Sequence, residues 1–200
     1  MSAKNPITGI ILSGGKSIRM GQDKAFLNVD GVPIIQRIIT LFRQLFRESL
    51  IITNDPASYQ SLETKTYSDL FPNCGALGGL YTGLSFSSFH YAFCVACDMP
   101  FLKEDLIEYL VGRIDGYNAI VPRTADGFQP LHALYSKDCL EPIARTVREG
   151  KVKLIDFYHL VKLRVVEENE FLLLDPLKES FTNINTPEDL DTFRAKRNPM

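Results

Sequence analysis

The sequence predicts an α/β fold: a doubly wound, mostly parallel sheet with helices on both faces, in one domain spanning residues 1–200. Three observations lead there. Short apolar runs alternate with stretches whose apolar residues recur at helical spacing, the pattern of strand–helix–strand units. A long glycine-rich, basic loop follows the first apolar run directly. The chain is 45% hydrophobic and 23% charged over 200 residues, enough apolar material for one sizeable core.

The elements follow in order. Residues 8–12 read as the first strand, and the loop LSGGKSIRMGQDK (12–24) comes next. Ile34, Ile35, Ile38, Ile39, Phe42, Leu45 and Phe46 then share one helix face. Residues 50–53 form a second strand, 57–62 a short helix, and 65–67 a third strand. A helix entered through glycines covers 78–87, the fourth strand 91–96, the next helix 102–113, and a fifth strand 119–121. Beyond it the pattern changes. A strand over 129–135 returns after the turn Asp126-Gly127, helices cover 140–148 and 153–159, and a strand covers 161–166. In NINTPEDLDTF, Thr186 is placed to cap a last helix, with Pro187 at its first position and acidic residues in its first turn. Crossovers between parallel strands should be right-handed.

Bulk properties exclude several classes. A net charge of −2 carries no basic signature for nucleic acid. No apolar stretch approaches the roughly 18 residues of a membrane span. The start, MSAKNPITG, has no apolar core of a secretory signal, so a cytoplasmic location with reduced thiols is expected. Cys94 and Cys97 form a CxxC pair. They lie on an apolar strand, where residues three apart face opposite sides, so a shared metal or disulfide is disfavoured.

In a doubly wound sheet, ligands bind beyond the carboxyl ends of the strands. Glycines there let backbone amides approach phosphate, and Lys16, Arg19 and Lys24 add positive charge, so the loop reads as a polyphosphate site. It is neither of the common loops. A Walker A motif would require glycine at position 10, which is Ile10, and Gly14, Gly15 and Gly21 do not fit GxGxxG. Asp98 just past the fourth strand points a carboxylate at the same rim, where one carboxylate plus substrate phosphates suffices for magnesium. A helix-capping role would place it similarly. Asn54, after the second strand, is a contact candidate or an Asx-turn residue.

LSGGKSIRMGQDKAFL resembles the signature of nucleotidyltransferases that transfer a nucleoside monophosphate from an NTP. Within that superfamily the chain most resembles the molybdenum cofactor guanylyltransferases. The resemblance includes NCGALGGL (73–80), CDMPFL (97–102), FQPLHALY (128–135) and NINTPEDL (183–190), and covers nearly the whole chain. Ser13 stands where alanine is usual, and Ile18 where arginine is frequent. The resemblance implies a Rossmann-like nucleotidyltransferase fold, with nucleotide bound by the N-terminal half and a pterin substrate by the C-terminal half. It implies that Leu12, Ser13, Gly14 and Gly15 cradle GTP. Lys24 would meet the α-phosphate, and Arg19, helped by Lys16, the leaving diphosphate. Asp98 would hold Mg²⁺. Asp69 would contact the nucleotide, with Gly75, Gly78 and Gly79 letting the base lie against backbone. Gln129, Pro130, His132, Asn183 and Asn185 would face the pterin. His132 has a plainer alternative as a core residue, and His90 and His159 receive no role.

The implied reaction is in-line attack by the terminal phosphate of molybdenum-molybdopterin on the α-phosphorus of GTP, with release of diphosphate. A phosphate monoester is already anionic near pH 7, so no general base is required. Proteins of molybdenum insertion and molybdoenzyme maturation are the expected partners, with no nucleic acid and no membrane. CTP with molybdopterin, GTP with phospholactate, and a non-catalytic nucleotide-binding module remain as alternatives.

Overall fold

Six consecutive residues of β1 (Asn5–Leu12) are buried, the mark of a strand covered on both faces. The computed structural model describes residues 4–14 and 24–197. After a 3₁₀ turn at Lys24–Phe26, β2 (Asn28–Val29) and β3 (Val32–Pro33) pair as a small hairpin. α1 (Ile34–Leu45) follows and runs without a loop into β4 (Phe46–Ile52). A 3₁₀ helix (Pro56–Leu62) leads to β5 (Lys65–Tyr67). Then come α2 (Gly75–Phe86), β6 (Tyr91–Ala96) and α3 (Glu104–Val111). β7 (Ala119–Thr124) is followed by β8 (Gly127–Phe128) and β9 (His132–Ser136), which both turn back to pair with it, and then by α4 (Leu140–Arg148). The chain closes with β10 (Leu163–Glu167), α5 (Glu168–Phe171) and α6 (Pro187–Arg197).

The main sheet has the order β10-β7-β9-β6-β1-β4-β5, with β8 attached to β7. β5, β4, β1 and β6 are mutually parallel, and β10 is parallel to β7. β9 runs antiparallel to both of its neighbours. Two apolar cores lie on the two faces. α1 and α3 pack on one through Ile35, Ile38, Phe42 and Leu106. α2 and α4 pack on the other through Leu77, Leu80, Leu84 and Ile143. The doubly wound architecture expected from the sequence is therefore present.

α2 comes unusually close to β1. A Cβ at Gly83 would lie 2.6 Å from the Ile10 side chain, and one at Gly79 would lie 3.1 Å from Leu12. Cys94 belongs to one core and Cys97 packs against the other, as strand alternation requires.

Three expected elements differ. Phe46 does not end the first helix. It opens β4, where its ring packs edge-on against Phe42, 5.1 Å between centroids. Residues 129–131 are a turn and not strand: the His132 amide donates to the Gln129 carbonyl, and Pro130 has no amide to offer a ladder. Residues 153–159 form successive three-residue turns, with Asp156, Tyr158 and Leu160 amides donating to the carbonyls of Lys153, Ile155 and Phe157, ending in a 3₁₀ helix at Tyr158–Leu160.

Candidate functional site

The parallel strands deliver their carboxyl ends to one rim. Ser13 and Gly14 follow β1, Asn54 follows β4, Asp69 follows β5, and Asp98 follows β6. Because β9 is antiparallel and His132 pairs with Val95, the Gln129–Pro130 turn reaches this rim from the opposite direction. Arg19, Lys16 and Gly15 lie outside the described residues.

Ser13 is buried. Its amide donates to the Ile52 carbonyl at 2.8 Å and its hydroxyl shares a hydrogen bond with the Tyr59 hydroxyl. Leu12 is buried too, and its carbonyl accepts from the Cys97 amide at 3.0 Å, locking the end of β1 to the segment that carries Asp98. Gly14 is exposed next to them.

Asp98 Oδ1 is buried and has no hydrogen-bond partner among the described residues. Burial raises its carboxyl pKa above the usual value; its own backbone amide and the Lys24 charge pull the other way. A buried, unpartnered carboxylate oxygen suits a hard cation. Among the described residues no cluster of three or more His, Cys, Asp or Glu gathers to cage one. That donor set fits magnesium, which takes one or two carboxylates and fills its shell with phosphate oxygens and water.

Residues 183–186 pass directly over this aspartate. The Ile184 amide donates to the Asp98 carbonyl at 2.8 Å, and Asn185 Oδ1 accepts from Lys24 Nζ at 2.5 Å. The segment is held by Asp189, whose carboxylate accepts the amides of Asn185 and Thr186 at 2.8 and 3.0 Å. In return the Thr186 hydroxyl accepts the Asp189 amide at 3.1 Å, a reciprocal cap at the start of α6. A cavity of about 430 Å³ opens beside it, lined by Asn183, Asn185, Thr182 and Phe193 among others.

Asp69 Oδ1 accepts from the Phe71 amide and the Thr82 hydroxyl, each at 2.9 Å. A Cβ on Gly78 would sit 2.9 Å from Asp69 Oδ2 and 2.7 Å from the Phe71 carbonyl, so only glycine fits against this carboxylate. Asn54 is exposed. The Gln129 amide side chain donates to the Thr124 hydroxyl at 3.0 Å, and the Pro130 carbonyl accepts from Tyr135.

His132 requires a correction. It is fully buried, with its ring edge-on to Phe93 and Phe181, 5.1 Å from each. Neither ring nitrogen has a hydrogen-bond partner among the described residues, and burial pushes its pKa down to about 3. It is a neutral core side chain with no exposed surface to offer a substrate. Sequence reading also missed Asp189 and Tyr59. The Thr-x-x-Asp spacing at Thr186 signals the first; nothing in the local pattern signals the second.

The MobA-like NTP transferase domain matches residues 9–163 of the chain. A probable molybdenum cofactor guanylyltransferase from Pelotomaculum thermopropionicum is 38% identical over 94% of this chain and 92% of its own length. A molybdenum cofactor guanylyltransferase from Desulfosudis oleivorans is 37% identical over 94% and 95%. Among solved structures, the molybdopterin-guanine dinucleotide biosynthesis protein A of Archaeoglobus fulgidus superposes with a TM-score of 0.80 at 24% identity, covering 97% of this chain and all of the other. The 4-diphosphocytidyl-2C-methyl-D-erythritol synthase of Anaerococcus prevotii superposes at 0.70 with 15% identity and 96% coverage of both, a likeness of fold.

Proposed function

The chain belongs to the MobA-like NTP transferases, in the molybdenum cofactor guanylyltransferase branch, and we propose that it transfers GMP from GTP to the terminal phosphate of molybdenum-molybdopterin. The observation that supports this best is the meeting of Lys24, Asp98 and Asn185 at the strand ends, with the orphaned Asp98 oxygen at its centre.

In this reading, loop amides after β1 bind the triphosphate and Lys24 places a fixed positive charge at the α-phosphate. Arg19 neutralises the departing diphosphate. Asp98 and the substrate phosphates hold Mg²⁺, which supplies charge neutralisation for the phosphoryl oxygens when bound. Asp69 and Gly78 border the nucleotide, with Asn54 at the next strand end. Asn183, Asn185, Gln129 and Pro130 flank the approach of the pterin phosphate. That phosphate is already anionic, so the residues position and neutralise without taking a proton. Molybdenum-insertion proteins would supply the acceptor and molybdoenzyme-maturation proteins would receive the product. A cytoplasmic setting belongs to the same reading; no helix among the described residues is long and apolar enough to cross a membrane.

Calorimetric titration with GTP, CTP and ATP in the presence of Mg²⁺ tests it. GTP should bind preferentially, and diphosphate should be released only when molybdopterin is added. Preference for CTP would move the chain to cytidylyl transfer, and no triphosphate binding would overturn the reading.

A further inference from the structure

Tyr59 is among the largest fully buried side chains of the protein, and it touches both ends of the nucleotide loop. Its hydroxyl is hydrogen-bonded to that of Ser13, the first residue beyond β1. Its ring packs on Phe26, two residues past Lys24, with centroids 5.2 Å apart and planes tilted by 48°. Ser13 and Phe26 thus bracket the stretch to which triphosphate binding is assigned.

The platform under these contacts is itself fixed. Tyr59 stands on the 3₁₀ helix Pro56–Leu62, whose last turn is pinned by Arg43 of α1, donating to the carbonyls of Leu62 and Glu63 at 3.1 Å each. Its first turn is tied by the Asp55 amide to the Thr53 hydroxyl at 3.2 Å and by Ser58 to Asp55. Ser13 is held independently by its amide on the Ile52 carbonyl. Ala25, between Lys24 and Phe26, is fully buried.

We propose that Tyr59 is a positioning residue for the nucleotide. It fixes the separation of the loop's two ends, so that the Gly14 amide and the Lys24 ammonium are set before GTP arrives. It touches neither phosphate nor base. Its effect is to spare the binding step the cost of bringing Gly14 and Lys24 into place. This rests on the GTP-binding reading above. The hydroxyl pair depends on Ser13, where the signature that the chain resembles carries alanine, so this chain has a fastening that the bare signature lacks.

Tyr59→Phe, Ser13→Ala, their double and Tyr59→Leu test it, with GTP affinity measured by calorimetry alongside thermal unfolding and steady-state turnover. Each single hydroxyl deletion should weaken GTP binding by about three- to tenfold. The double variant should match the singles, because all three delete one bond. Tyr59→Leu, which also removes the ring from Phe26, should weaken binding further. For Tyr59→Phe and Tyr59→Leu, kcat at saturating GTP should stay within about twofold, since the loss falls on ground-state binding. Val166→Ala, in β10 at the opposite sheet edge, should lower the melting temperature without changing GTP affinity. Tyr59 variants that melt lower yet bind GTP like the parent protein would overturn the proposal, as would additive effects of the two hydroxyl deletions. Should Tyr59→Leu not fold, Tyr59→Phe and Ser13→Ala decide. Failure of the unaltered protein to bind GTP would instead sink the functional reading itself.

Discussion

The ammonium of Lys24 is hydrogen-bonded to the side-chain oxygen of Asn185, 161 positions away in the chain. The lysine lies near the start of the chain and the asparagine near its end. Their bond aims the charge while the adjacent Ile184 amide grips Asp98.

Removing that aim has a defined outcome. Asn185→Ala should lower kcat/KM by about tenfold or more, the loss typical of a hydrogen bond to a charged group. Both side chains are accessible, so stability should change by less than about 0.5 kcal/mol. Lys24→Ala should lose more activity, and adding Asn185→Ala to it should cost little further. Full additivity in that cycle would show that the two residues act separately.

Asp98 is held in the protein at the expense of stability. Its folded pKa is raised above the ordinary aspartate value of 3.8, so the folded chain retains a proton at pH values where the unfolded chain has lost it. Stability therefore declines as pH rises through the raised pKa. Asp98→Asn, neutral throughout, should be more stable than the parent at pH 7 in urea unfolding, with the gap closing toward pH 4 and below. The same variant should lose Mg²⁺-dependent turnover by roughly 100-fold or more. A variant both less stable at pH 7 and fully active would contradict both expectations.

His132 gives the opposite pH response. Its pKa falls from 6.5 to about 3 on folding, so the unfolded chain takes up a proton that the folded chain refuses. The stability that depends on neutral His132 is present above pH 6.5 and is lost at about 1.4 kcal/mol per pH unit as pH falls toward 3. His132→Leu should remove that part of the slope between pH 6 and pH 4.5, measured as the difference in urea unfolding between the two proteins. Turnover at pH 7 should persist, because the ring is fully buried between Phe93 and Phe181.

Two glycines of α2 separate stability from binding. Gly83→Ala would press a methyl 2.6 Å from Ile10 and should cost about 1–3 kcal/mol of stability with GTP affinity retained. Gly78→Ala meets the Asp69 carboxylate and the Phe71 carbonyl instead, so it should weaken GTP binding at least as much as it weakens the fold. Equal GTP affinities in the two variants would remove Asp69 and Gly78 from the nucleotide site.

Much of this was legible in the residue order. β1 and β6 announce themselves because strands buried on both faces are continuous apolar runs, and Asp98 stands at the end of such a run. Thr186 and Asp189 are readable as a cap from spacing alone. Other features depend on distance in sequence. Asn185 reaches Lys24 only after the chain has wrapped the whole sheet, and Tyr59 meets Ser13 across 46 positions. His132 stood open between substrate and core for a local reason: in FQPLHALY it follows a turn, and its register opposite Val95 is what turns it into the core. The helix expected over 153–159 failed because Asp156 captures the Lys153 amide and favours a turn.

The strap formed by residues 183–186 also sets when the protein can begin to work. A ribosome adds about 5–20 residues per second, so roughly 10–30 s separate the synthesis of Lys24 from that of Asn185. During that interval the strands that build the nucleotide rim are already made, while the lysine has nothing to aim it and the Asp98 carbonyl lacks its Ile184 amide. A chain paused before this strap has its strand ends but neither the Ile184–Asp98 nor the Lys24–Asn185 bond, and both arrive together with the last segment to be made.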